Sequence, residues 1–107
     1  MTWRRQFWTG DLVSGDRKIS PESHGAEGTI HYYRGDEYYR MGYSNGATQG
    51  VAWAIDTRTI AEVDSDGQKL TISPDIRDLL MSELSEATMD VWRQTTIPMA
   101  PFNANDV

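Results

Sequence analysis

The side chains with the most chemistry to offer are gathered in one stretch, TIHYYRGDEYYRMGY, residues 29–43. His31, Tyr33, Tyr38 and Arg40 bring an imidazole, two phenols and a guanidinium close together in sequence. Groups of this kind stack on planar ligands and hydrogen-bond to anions. Two further sets have the composition of contact residues. Trp3 and Trp8 flank Arg4 and Arg5 near the N-terminus, and Trp and Arg are enriched among binding hot spots. Ile97, Met99 and Phe102 alternate with Pro98 and Pro101 in a C-terminal segment with no charge before Asp106, too apolar for an ordinary solvated tail.

Catalytic and metal chemistry find little support. The chain has no Cys, which excludes disulfides, thiolate metal sites and thiol nucleophiles. His24 and His31 are its only histidines, and no third ligand stands at metal spacing. Asp64-Ser65-Asp66-Gly67 resembles a fragment of a calcium loop but lacks the remaining ligands and the closing Glu. Arg34-Gly35-Asp36 spells an adhesion tripeptide, yet Gly-Asp is also what a tight turn requires. No serine elbow, phosphate loop or dinucleotide fingerprint is present. The expectation is a protein without enzyme activity, cofactor or metal.

The elements that must position these residues follow from turn chemistry and periodicity. Gly35-Asp36 sits midway between two aromatic dipeptides, and Gly at the first central position of a two-residue turn marks a type II′ hairpin. That turn sets Arg34 opposite Glu37, Tyr33 opposite Tyr38, Tyr32 opposite Tyr39, His31 opposite Arg40 and Ile30 opposite Met41. Side chains alternate along a strand, so Ile30, Tyr32, Tyr39, Met41 and Tyr43 share a core face. His31, Tyr33, Tyr38 and Arg40 share the other, either open for binding or covered by the N-terminal segment with Trp3 or Trp8 on the tyrosines.

Upstream, residues 10–28 are punctuated by glycines. Leu12-Val13 and Lys18-Ile19 suggest a small hairpin, and Ser20 to Gly25 read as a loop. Downstream, Ser44-Asn45-Gly46 is a turn signal, and Val51, Trp53 and Ile55 alternate with Ala52 and Ala54 as in a central strand. Asp66-Gly67 predicts a type I′ hairpin over residues 59–73, with Val63 opposite Leu70 and Glu62 opposite Thr71. Ser73-Pro74-Asp75 is a helix start: a capping hydroxyl, a Pro whose missing N–H costs nothing, and an acid at the positive dipole end. Ile76, Leu79, Leu80, Leu84, Ala87 and Val91 then form an apolar stripe through about Trp92.

The fold expected is α+β: an antiparallel, hairpin-built sheet packed by one C-terminal helix. Residues 1–94 would form a single domain and residues 95–107 an extended tail. The chain has 107 residues and a net charge of −6. Residues 1–18 carry a net +2, so the acidity lies in the rest of the chain. That balance argues against broad affinity for nucleic acid. No apolar run reaches the ~20 residues that a membrane helix needs. The leading expectation is a non-catalytic interaction protein, a small subunit of a larger, cytoplasmic or virion-associated assembly, or an inhibitor that occludes a partner. That partner is another protein or copies of itself. The alternative is a binder of small ligands or nucleic acid through the tyrosine face.

Overall fold

The computed structural model describes residues 2–45 and 49–99. In chain order the elements are β1 (Arg4–Arg5), β2 (Leu12–Ser14), β3 (Arg17–His24), β4 (Glu27–Arg34), β5 (Glu37–Asn45), β6 (Val51–Val63), β7 (Lys69–Leu70), α1 (Pro74–Trp92) and β8 (Thr95–Pro98). Strands β1 to β7 form one antiparallel meander, each paired with the next, and β8 returns to pair in parallel with β6. This is the α+β architecture expected, with one helix packed on a curled sheet.

Turns spaced ten residues apart build the centre of the meander. Gly15, Gly25 and Gly35 each take the first position of a two-residue turn, closing Ser14 on Arg17, His24 on Glu27 and Arg34 on Glu37. Their φ values are +59°, +81° and +60°, the left-handed region a type II′ turn demands at that position. The β4–β5 register is the one read from the sequence, from Arg34 opposite Glu37 to Ile30 opposite Met41.

Ser20–His24 is strand, not loop. The Gly25-Ala26 turn lets β3 run alongside β4 to its end. Because β2 pairs with β3 only as far as Ile19, β3 is an edge beyond that point, where Pro21 breaks no ladder on the open side.

The second hairpin differs by one residue. Val63 pairs with Lys69 and Glu62 with Leu70, in place of Val63 with Leu70. The Asp64 carboxylate accepts the backbone N–H of both Asp66 (3.0 Å) and Gln68 (2.9 Å), holding the connection as a wider loop than a two-residue turn. The shift sends Leu70 outward, 43% exposed. Strand β6 also runs well past Ile55, through Val63, broken by a bulge at which residues 57–60 stand opposite Met41 alone. Of the expected Ser44-Asn45-Gly46 turn, Ser44 and Asn45 close β5, and Gly46 lies outside the described residues.

The core lies between the sheet's inner face and α1. Ile19, Ile30, Tyr32, Ile55, Leu80, Leu84 and Ala87 are fully buried, with Tyr39, Met41, Tyr43 and Trp53 nearly so. Helix α1 starts as expected: the Ser73 hydroxyl accepts the Ile76 N–H at 3.2 Å, and Pro74 follows it. Its buried stripe keeps Leu80, Leu84 and Ala87 of the expected one, with Ile76 and Val91 packed against the core, and differs at Leu79, Glu83 and Thr88. Leu80, Glu83, Leu84, Ala87 and Thr88 face inward, whereas Leu79 is 41% exposed. Glu83 can face inward because it finds partners in the sheet. Arg17 and Arg34 are direct neighbours on β3 and β4, and both form ion pairs with its carboxylate, Arg34 Nε at 2.9 Å from Oε1 but off line for a hydrogen bond. The Tyr32 hydroxyl donates to the same oxygen (3.0 Å), and Arg34 continues to Glu37 (2.8 Å). Burial, opposed by the two arginines, pushes the Tyr32 phenol up to about 12.

The helix ends at Arg93, in the left-handed conformation at φ +58°, with its N–H donating to the Met89 carbonyl. That reversal lays the next residues along β6. The segment expected as a tail from residue 95 therefore begins inside the sheet. The Thr96 hydroxyl bonds that of Thr88 on α1 (3.0 Å), and the Met99 N–H donates to Ile55 (2.6 Å). Residues 100–107, including Phe102, lie outside the described residues.

Candidate functional site

Two surfaces carry the contact residues singled out in the sequence. The first is the outer face of β3, β4 and β5. Register places Lys18, Tyr33 and Tyr38 in one row and Ser20, His31 and Arg40 in the next, so the four residues expected to share a face do so. The tyrosines stack at 4.8 Å between centroids, 8° from parallel. Lys18 Nζ sits 4.8 Å from the Tyr33 ring centre. Since β3 and β5 flank β4, Lys18 and Tyr38 occupy opposite sides of that ring, and both its faces are taken within the protein.

His31 is tied on both nitrogens. Its Nε2 lies 2.8 Å from Glu22 Oε1 and its Nδ1 2.6 Å from the Tyr38 hydroxyl. With the carboxylate accepting at Nε2, the neutral ring accepts the Tyr38 proton at Nδ1. The second Glu22 oxygen is 3.0 Å from His24 Nε2. The hydrogen bond from His31 holds the Glu22 carboxyl below its usual range. A carboxylate, imidazole and hydroxyl in series have the composition and the hydrogen-bond direction of a nucleophile relay, but a phenol serves as nucleophile only as its phenolate. Burial, then the neighbouring Tyr33, raises the Tyr38 pKa, which suppresses a phenolate. Glu22 itself is exposed, so the relay ends in solvent.

The N-terminal segment does not cover this face. Trp3, a candidate anchor on sequence grounds, is 3% exposed and packs edge-on against Tyr32, 6.2 Å between centroids, on the core side. Its backbone N–H donates to Asp90 on α1 (3.0 Å), which fastens the start of the chain to the helix. This placement removes Trp3 from the contact surface.

The second surface is the loop from β1 to β2. Trp8 is 80% exposed and its neighbour Phe7 89%. Hydrogen bonds close the loop beneath them: Gln6 N–H to the Asp11 carbonyl (2.7 Å) and Gly10 N–H to the Gln6 carbonyl (2.9 Å). The Thr9 hydroxyl adds a bond to the Gln6 side chain (2.9 Å) and accepts the Asp11 N–H (3.2 Å). Asp11 is buried and Leu12 fully so, which roots the loop in the core. The result is two large apolar rings held in water on a hydrogen-bonded base, with the exposed Arg4 and Arg5 at its foot. Phe7 was legible only as part of an ambiguous strand-or-helix segment. The signal for it is the polar, turn-forming Thr9-Gly10-Asp11 that follows.

At the other end, Ile97 is exposed on β8, and Met99 is half-buried beside Ile55. Among the described residues no cluster of His, Asp or Glu suits a metal ion, and no helix is long and apolar enough to cross a membrane. No protein-family model, curated protein or solved structure matches the chain.

Proposed function

We propose that this chain is a non-catalytic protein-interaction module that engages its partner through the Phe7-Trp8 loop, as a small assembly subunit or an occluding inhibitor. The observation that carries the reading is the exposure of both rings on a loop that is otherwise tied down. Exposed aromatics add nothing to folding, whereas buried in a partner they are among the strongest anchors known. A loop already held in shape forfeits less freedom on binding. Arg4 and Arg5 beside the rings favour an apolar pocket rimmed by carboxylates. The outer tyrosine face supports ligand binding less well, because its rings already stack on one another and on Lys18.

The test compares tagged wild type, a Phe7→Ala/Trp8→Ala variant and a Tyr33→Ala/Tyr38→Ala variant in affinity capture from the native host, scored by quantitative mass spectrometry. The loop variant should lose its specific partner at least tenfold while the tyrosine variant keeps it. The reverse pattern would transfer the function to the sheet face. Sedimentation with anionic vesicles that depends on Phe7 and Trp8 would overturn the protein partner in favour of a lipid surface.

A further inference from the structure

The β6 bulge creates a groove that neither surface above uses. Opposite Met41 the strand detours through residues 57–60, and Thr59 locks the detour: its hydroxyl accepts the Gly42 N–H (2.7 Å) and donates to the Asp56 carbonyl (2.6 Å). Between this bulge, β7 and the first turn of α1 lies a groove of about 550 Å³. That is the size of a small-molecule site. Ile60, Leu70 and Ile72 supply apolar lining, and Arg58, Lys69 and Arg77 supply three cations. Among the described residues no carboxylate lines it, in a chain with six more acidic than basic residues. An adjoining groove of about 350 Å³ shares Lys69 and Thr59 and adds Arg40.

The cations differ in how free they are. Asp56 grips Arg58 with both carboxylate oxygens (3.1 and 3.2 Å). Arg77 Nε has only a loose contact with Asp78, 3.8 Å away. Lys69 forms no ion pair among the described residues. An anion arriving here meets Lys69 and Arg77 without having to break a close ion pair. Leu70, turned outward by the register shift at β7, presents apolar surface beside them.

We propose that this groove binds a small organic anion, a carboxylate or phosphate monoester on a short apolar body. The head group is held by Lys69 and Arg77 and the body lies on Ile60, Leu70 and Ile72. The site is independent of the Phe7-Trp8 loop. Titration of ¹⁵N-labelled protein with octanoate, octyl phosphate, octanol and inorganic phosphate tests it. The two alkyl anions should bind saturably, shifting amides of residues 57–61 and 69–72. Octanol and inorganic phosphate should bind at least tenfold more weakly. Lys69→Gln/Arg77→Gln should weaken the alkyl anions tenfold or more with the melting temperature unchanged, and Lys18→Gln should not. Octanol binding as well as octanoate, shifts scattered over the surface, or affinity indifferent to Lys69 and Arg77 would each overturn the proposal. If the double variant fails to fold, the octanoate-to-octanol ratio on the wild type decides it.

Discussion

Trp3 and Trp8 stand close together in one short segment and have opposite fates. Trp3 is in the core against Tyr32, and Trp8 stands in solvent beside Phe7. Both indoles would gain from burial. What separates them is the chain between them. Arg4-Arg5 pairs with Val13 and Leu12 at the sheet margin, and the Gln6–Asp11 hydrogen bonds then turn the backbone away from the core. One Trp is spent on folding the domain, and the other is kept outside by backbone geometry. An aromatic held in water by its own backbone is the observation on which the proposed contact surface rests.

The contrast can be broken from the core side first. Trp3→Ala removes a buried indole and should destabilise the protein by about 3–5 kcal/mol in urea unfolding. A loss below about 1 kcal/mol would mean that Trp3 is as dispensable to the fold as an exposed residue. Glu83→Ala comes next, at about 3 kcal/mol, because it leaves Arg17 and Arg34 side by side without their shared carboxylate. Equilibrium unfolding should show part of the Glu83→Ala loss recovered when Arg17→Met is added, since one of the two orphaned charges is then relieved.

Tyr32 sharpens the same side through pH. Its folded pKa of about 12 lies above the ordinary phenol value near 10. Burial therefore favours folding fully below pH 10, and that contribution is lost as pH rises through 12. Stability should fall by roughly 2 kcal/mol across that window. The Tyr38 and Tyr39 phenols are raised by burial too and add in the same direction. Absorbance titration should show Tyr32 ionising together with the unfolding signal. A Tyr32→Phe variant should flatten the alkaline fall, and an unchanged slope would show that the phenol titrates as if in water.

The tyrosine hairpin is legible in the sequence because Gly35-Asp36 fixes a two-residue turn, and a two-residue turn fixes every pair behind it. The same Gly signal at Gly15 and Gly25 was present, but Pro21 made a strand read as a loop. Asp66-Gly67 misled for a local reason: Asp64, two residues upstream, captured the backbone and widened the loop. Glu83 was hidden for a non-local one. A carboxylate among apolar helix positions looks like part of the solvated face until two arginines from distant strands are found beneath it. The parallel docking of Thr95–Pro98 and the bulge at residues 57–60 likewise depend on partners far along the chain. The contact residues divide in the same way. Side-chain type nominated Trp3 and Trp8 equally, and only backbone hydrogen bonding told them apart.

The most direct measurement is the equilibrium stability of the Phe7→Ala/Trp8→Ala variant beside Trp3→Ala under the same conditions. The two rings at the loop tip should be removable with a change of no more than about 0.5 kcal/mol, as for surface positions away from structural features. A loss of 2 kcal/mol or more would show that Phe7 and Trp8 serve the fold, and the proposed contact surface would have no separate existence.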